Sequence, residues 1–172
     1  MLDRILWYSY PVVYGGNCVD FPEIRKAVNS RKSKLKRSRK YIFEMAQSYE
    51  SLDFLTLTFS DDVLLRTSER TRHRYVASFL NECYRDYYAN IDYGEKNHRE
   101  HYHAVVAPYP EKPCPVWQYG YSKSKKIYLG YRSNSIKKVT AYMHKIVLHA
   151  NKYTSGNSFH KRGLKLVDSL PF

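Results

Sequence analysis

The chain has 172 residues, 43% of them hydrophobic, and its formal net charge is +13 at pH 7. This length and apolar content exclude an intrinsically disordered protein and predict a globular domain with its own core. The basic surface favours a polyanionic partner, of which nucleic acid is the commonest; an anionic membrane usually requires an amphipathic helix or a lipid anchor. No run of about 18 apolar residues occurs, so no membrane-spanning segment is predicted.

The first predicted element is a helix over residues 21–50, after an irregular stretch over 1–20. Pro22 suits the first helical turn, and glycine is absent from the stretch. Within it, residues 31–40 read RKSKLKRSRK. This block forms either a solvated basic face or an arm that contacts phosphates. We favour the arm, because a block of like charge rarely persists without an anionic partner.

A β-strand is predicted over residues 53–60, where DFLTLTFS alternates apolar residues with threonine. A helix follows, for which Ser68 is a suitable N-cap. Its apolar residues recur at helical spacing: Tyr75, Val76, Phe79, Leu80 and Cys83. That spacing indicates a helix packed on a sheet. Residues 88–93 and 101–107 then read as two strands of a hairpin around the polar turn GEKNHRE.

The rest of the chain predicts a further strand and helix. Residues 108–120 are rich in proline and form a loop, and residues 125–132 are typical of a strand. A helix over residues 133–152 is predicted from an apolar stripe: Ile136, Val139, Tyr142, Met143, Ile146 and Val147. LKLVD, residues 164–168, is suited to a last short strand. The predicted fold class is α+β, with antiparallel strands and flanking helices.

The hairpin carries a possible metal site. Residues i and i+2 of a strand project to one face, so His101 and His103 project together and Tyr102 projects to the other face. Two imidazoles leave a divalent ion short of ligands, and a carboxylate would complete the set. We prefer Asp92, at the end of the preceding strand, to Glu95 in the turn, because a strand orients its side chains better. Glu100 is a minor option, and a chance histidine pair on a half-exposed strand is the alternative interpretation.

Tyr142 and Lys145 are three residues apart on the predicted helix and would share a face. An ammonium group near a phenol stabilises negative charge there or on a phosphate under attack, which suits phosphoryl transfer to tyrosine. The alternative is that Tyr142 is a core tyrosine and Lys145 a solvent-facing residue. His144 lies on another side of the helix and receives no role.

Three segments in this order resemble the motifs of rolling-circle replication initiators, the Rep-type HUH endonucleases. They are FLTLTF (54–59), DYGEKNHREHYHAVVA (92–107) and YMHK (142–145). In that family two histidines flank a hydrophobic residue, and Tyr-x-x-Lys follows. Initiators of small single-stranded DNA phages of the microvirus group carry a hairpin similar to GEYGDKYGRPHYH. Asp92 then stands where the family has glutamate, and Glu100, where proline is common, puts an extra carboxylate beside the site.

The resemblance implies a Rep-type HUH nuclease fold, in which a central antiparallel sheet carries the HUH motif. It implies Mg²⁺ or Mn²⁺ held by His101, His103 and Asp92. Tyr142 would attack a scissile phosphate and form a 5′-phosphotyrosine link, with Lys145 orienting or stabilising within the site. The expected activity is metal-dependent, sequence-specific nicking and joining of single-stranded DNA that initiates rolling-circle replication.

The resemblance also implies binding partners and a domain organisation. The expected partners are single-stranded DNA at a replication origin, in a hairpin, together with a host helicase and replication proteins, and no membrane. The sequence contains no P-loop, so another protein would unwind the DNA. Widely spaced cysteines without a Cys-x-x-Cys pair favour a reducing cytoplasm, here that of a bacterial host. Residues 1–50 form a basic helical region and residues 51–172 the endonuclease domain, as one compact unit.

Two other functions fit part of the pattern. A single-tyrosine HUH transposase also places its tyrosine after the histidines, but typically carries glutamine where this chain has Lys145. A non-catalytic basic nucleic-acid-binding module would use the histidine pair structurally. In each case we expect phosphate contacts from residues 31–40 and from arginines near 70–74, with exposed tyrosines stacking on unpaired bases.

Overall fold

The computed structural model describes residues 21–94, 99–113, 116–127, 134–150 and 152–161. The predicted irregular start, the predicted strand over 164–168 and Glu95 lie outside these residues. The elements follow one another in this order: α1 (Phe21–Ser48), β1 (Leu52–Phe59), α2 (Asp61–Arg66), α3 (Glu69–Cys83), β2 (Tyr84–Tyr93), β3 (Glu100–Pro108), β4 (Gly120–Ile127), α4 (Asn134–Met143), β5 (Val147–His149), β6 (Lys152–Thr154) and β7 (Ser158–Lys161).

Five strands form one antiparallel sheet in the order β4-β1-β3-β2-β7, and β5 pairs with β6 separately. Since helices flank this sheet, the predicted α+β class is confirmed. The hairpin of β2 and β3 lies at the centre, so it is hydrogen-bonded on both sides. In the described part of the chain, no helix is both long enough and apolar enough to cross a membrane.

The alternation of β1 divides the sheet into two faces. Leu55, Leu57 and Phe59 point to the face covered by α3, where Val76 and Leu80 are fully buried. We call this the α3 face. The residues between them on β1 point to the opposite face, which α1 and α4 cover in part; we call it the α4 face. Its apolar core combines residues of both helices and the sheet: Ile42, Met45, Leu52, Val105, Ile136 and Met143.

Side-chain caps explain two of the helix starts. Ser68 caps α3, accepting a hydrogen bond from the Thr71 backbone N–H at 3.2 Å, as its sequence predicts. Ser60 likewise caps α2 and accepts from the Val63 N–H. Asp61 and Asp62 directly follow Ser60, where the sequence pattern predicted no helix. Acidic side chains in a first turn favour a helix N-terminus, which explains this short additional helix.

The predicted helix over 133–152 is wrong beyond Met143. The chain leaves α4 there, with the Lys145 N–H donating to the Tyr142 carbonyl at 3.3 Å, and enters β5 at Val147. Val147 packs in the α3-face core, so this residue of the apolar stripe belongs to a strand. Two strand starts also differ: β2 begins at Tyr84 and β4 at Gly120, earlier than their patterns predict.

Residues 31–40 lie within α1 and do not form a separate arm. Arg31 Nε donates to the His144 carbonyl at 2.7 Å, and Lys34 Nζ donates to the Gly156 carbonyl. Ser38 is fully buried. One side of the basic block therefore docks α1 onto α4 and the segment between β6 and β7. The remaining basic residues of the block are exposed: Lys32, Lys36, Arg37, Arg39 and Lys40.

Candidate metal and tyrosine site

The hairpin register brings the three predicted ligands onto one face. Asp92 on β2 is the direct cross-strand partner of His101 on β3, and His103 lies two residues further along β3. Directly paired residues of an antiparallel sheet project to the same side. A shift of one residue in this register would turn Asp92 away, so the apolar pattern that fixes the register also fixes the site. The three side chains project from the α4 face.

Asp92 and His103 form a buried pair. The His103 Nε2 lies 3.4 Å from Asp92 Oδ2, and each side chain is less than 5% exposed. The hydroxyl of Thr56 lies 3.1 Å from Nδ1 of the same imidazole and orients the ring so that Nε2 faces the carboxylate. Phe54 stacks on the ring at a centroid distance of 5.5 Å. Neither β1 residue was predicted as part of the site, although the alternation along that strand places both on this face.

One carboxylate oxygen of Asp92 accepts a hydrogen bond, whereas the other makes only ion-pair contacts. Its Oδ1 accepts the Tyr93 N–H at 2.9 Å. Its Oδ2 is buried and makes no hydrogen bond among the described residues. The groups nearest to Oδ2 are the His103 Nε2 and the Lys145 Nζ, the latter at 3.3 Å. A buried carboxylate oxygen that accepts no hydrogen bond is suited to binding a cation.

Tyr142 lies at the end of α4, above the histidines. Its ring is 4.9 Å from the His103 ring and 5.9 Å from the Phe54 ring, between centroids. The residue is 50% exposed, so it is not the core tyrosine of the alternative interpretation. Lys145 has left the helix, yet its Nζ lies 5.6 Å from the Tyr142 ring centroid. Lys145 therefore reaches both the phenol ring and Asp92, although the predicted shared helix face is wrong.

His101 stands at the rim of the site, with its ring centroid 6.4 Å from that of His103. Burial lowers the pKa of His101 below its usual 6.5, the nearby His103 lowers it further, and Asp92 opposes both. The neutral imidazole is therefore the prevailing form at pH 7. That form has the free ring lone pair that a metal ligand needs.

The donor set fits a divalent cation. Within the described ranges, no group of three or more His, Cys, Asp or Glu side chains already stands close enough to hold a metal ion. Two imidazoles and one carboxylate nevertheless share one face, and Asp92 supplies a buried oxygen without a hydrogen bond. Two histidines with one carboxylate form a facial set that leaves positions open for substrate. The residues present are therefore compatible with a divalent cation.

Glu100 does not lie beside the site, contrary to the sequence analysis. It precedes His101 by one residue and so projects to the α3 face, where Arg72 binds its carboxylate through Nε at 2.9 Å and Nη2 at 2.7 Å. Glu100 is therefore not a metal ligand. Arg72, with its side chain 12% exposed in this ion pair, is also a poor phosphate contact. Its neighbours Arg70 and Arg74 are exposed.

No family model, curated protein or solved structure matches this chain. The function therefore has to be inferred from the site and from the charge around it. The site combines an exposed phenol, an ammonium group and a mixed nitrogen and oxygen donor set on one sheet face. The chain around it has a net charge of +13, which favours an anionic substrate.

Proposed function

We propose that this protein is a metal-dependent, sequence-specific single-stranded DNA nicking and joining endonuclease that initiates rolling-circle replication. The observation that carries the proposal is the exposed Tyr142 ring, 4.9 Å from His103, on the face that also bears His101 and Asp92. A tyrosine beside a cation site is suited to attack a phosphodiester, because the cation offsets the charge that develops on the phosphate. The proposal agrees with the motif order noted in the sequence.

In this mechanism His101, His103 and Asp92 would hold Mg²⁺ or Mn²⁺, and the bound ion would supply Lewis-acid polarisation of the scissile phosphate. The Tyr142 oxygen forms a bond to phosphorus, and the bond from phosphorus to the 3′ oxygen breaks. The phenolic proton is lost and the 3′ oxygen gains one, so the products are a 5′-phosphotyrosine and a free 3′-hydroxyl. The exchange conserves phosphoester bonds and needs no co-reactant. Attack by a 3′-hydroxyl on the phosphotyrosine reverses it and joins the strand.

The surrounding residues position the reacting groups. Thr56 and Phe54 hold the His103 ring with Nε2 toward Asp92. Lys145 carries a positive charge between Asp92 and Tyr142, where it stabilises negative charge on the phenol oxygen or on the phosphate. The partial exposure of Tyr142 leaves room for a DNA backbone to approach it.

The test is a covalent adduct that depends on the Tyr142 hydroxyl. The protein is mixed with Mn²⁺ and single-stranded oligonucleotides tiled across both strands of the replicon that encodes it, each labelled on its 3′ side, and run on a denaturing gel. We expect a labelled protein–DNA band that Tyr142→Phe abolishes. The matched control is Tyr109→Phe, which removes the phenol hydroxyl of a partly exposed tyrosine outside the site. An adduct that persists in Tyr142→Phe, or none with any oligonucleotide, would contradict the proposal.

A further inference from the structure

The edge strand β4 is basic and almost entirely exposed. It is the first strand in the sheet order, so only β1 pairs with it among the described strands. From Gly120 to Lys126 no residue is buried, and Ile127 alone enters the core. Its lysines, at positions 123, 125 and 126, form no salt bridge within the described part of the chain. The strand therefore presents exposed positive charge at the edge of the sheet.

The strand register assigns these residues to two faces. Tyr121 pairs with Thr58 of β1, which pairs with His101 of β3. Lys123 pairs with Thr56, the β1 residue that contacts His103. With Lys125, two residues on, they form a row on the α4 face, which we call the β4 row: Tyr121, Lys123 and Lys125.

Contacts at the other β4 positions support this assignment. Ile127, in phase with the β4 row, packs in the α4-face core. Ser124, out of phase with it, has its Oγ 3.2 Å from the Asp53 carboxylate on the α3 face. Lys126 pairs with Asp53 and so shares that opposite face. Two adjacent exposed lysines, Lys125 and Lys126, therefore point to opposite sides of one strand.

We propose that the β4 row binds the stretch of single-stranded DNA next to the scissile phosphate, with the lysines on phosphates and Tyr121 stacked on a base. This inference rests on the proposed function. The row is in register with the histidines and two strands away from them, about 10 Å at ~4.8 Å per strand.

The chemistry of the row matches such a ligand. Tyr121 is 67% exposed, which is unusual for an aromatic side chain on a sheet and typical of a stacking platform. Lysines on either side of a strand can instead protect an exposed edge from pairing with another chain. Edge protection makes no distinction between the two faces, whereas DNA binding requires the lysines of the α4 face.

The two roles are distinguished by comparing Lys125→Ala with Lys126→Ala, which remove the same charge from adjacent exposed positions. Binding of a fluorescein-labelled oligo-dT strand is followed by anisotropy in the Tyr142→Phe background, so that no cleavage intervenes. We expect Lys123→Ala and Lys125→Ala each to weaken binding about threefold to tenfold and to flatten the dependence on salt. Lys126→Ala should change the Kd less than twofold.

Tyr121→Leu should weaken binding at least fivefold, while Tyr121→Phe, which keeps the ring, should not.

Equal effects of Lys125→Ala and Lys126→Ala, with thermal unfolding unchanged, would overturn the β4 row as the DNA path. If wild type forms the adduct and the row variants bind and cleave like it, the row fails and the proposed function stands. If the row variants lose binding as expected but no oligonucleotide yields an adduct, the proposed function fails and the row is supported as a binding surface.

Discussion

Lys145 and Asp92 form an ion pair that a metal ion bound at Asp92 would disturb. Asp92 is almost fully buried, so its carboxylate needs a positive charge nearby, and the Lys145 ammonium lies 3.3 Å away. A divalent ion that binds Asp92 Oδ2 and His103 Nε2 would compete with that ammonium for the same oxygen. The lysine therefore stabilises the carboxylate in the metal-free protein, and a bound ion would displace it from this oxygen.

This competition predicts opposite effects of Lys145→Met on two measurements. Loss of the ammonium should tighten Mn²⁺ binding without DNA about tenfold, equivalent to ~1.4 kcal/mol, because the ion no longer displaces a charge. Adduct formation should fall. Isothermal titration calorimetry measures the first effect. Lys138→Met, an exposed change on α4, is the matched control and should leave both unchanged. Weaker metal binding in Lys145→Met would contradict the competition.

At the scale of elements, α1 is attached through a narrow apolar stripe. Ile42 is fully buried in the α4-face core, whereas the adjacent Phe43 is 50% exposed. The burial of a side chain, and not its size, should therefore determine how much free energy of unfolding is lost when it is truncated to alanine. We expect Ile42→Ala to lower the free energy of unfolding by about 2–5 kcal/mol and Phe43→Ala by less than about 1 kcal/mol. Urea denaturation followed by circular dichroism measures both, and a larger loss in Phe43→Ala would show that α1 packs through its other side.

Local sequence patterns predicted an element correctly where its own residues mark its start or its side-chain alternation. The start of α3 follows from Ser68, and β1 from its alternation. The end of α4 could not be predicted this way, since an apolar residue at Val147 suits a helix stripe and a strand equally. Packing of Val147 against the α3-face core, far away in sequence, decides between them.

In the candidate site, too, local patterns predicted some features, whereas others depend on the tertiary structure. Period-two alternation places His101 and His103 on one face, and the preference for a strand-borne carboxylate selects Asp92, which the register then pairs with His101. The same alternation, applied to Glu100, would have predicted its opposite orientation toward Arg72. The approach of Lys145 to Asp92 depends on where α4 ends, which no local pattern specifies.

For the whole molecule, the net charge is +13, and part of it lies on elements next to the candidate site. Exposed lysines and arginines of α1 border the α4 face, and so do Lys123 and Lys125 of β4. This charge favours a polyanion, but it also repels itself and raises the cost of any further positive charge inside the fold. A fully buried imidazole at the junction of α1 and α4 lies close to several of these basic side chains, so this cost applies there.

That imidazole belongs to His144, whose side chain is fully buried next to the Tyr88 hydroxyl, 3.4 Å from Nε2. Burial lowers the pKa of His144 to about 4; a backbone hydrogen bond opposes this, and the nearby Lys34, Arg31 and Arg37 lower it further. Between pH 6.5 and 4 the unfolded chain therefore binds a proton that the folded chain excludes. Stability from this group is complete above pH 6.5 and is lost as the pH falls toward 4.

We therefore expect the free energy of unfolding to fall between pH 7 and pH 5, with His144 contributing at most about 2 kcal/mol of the loss. His144→Gln cannot titrate, so its loss over the same interval should be smaller by that amount, even if the variant is less stable at pH 7. Urea denaturation of both proteins at the two pH values isolates the difference, because the remaining histidines contribute equally to each. Identical pH dependence would mean that His144 takes up its proton over the same pH range in the folded and the unfolded protein, and at pH 5 the junction of α1 and α4 would then have to accommodate a buried imidazolium beside three basic side chains.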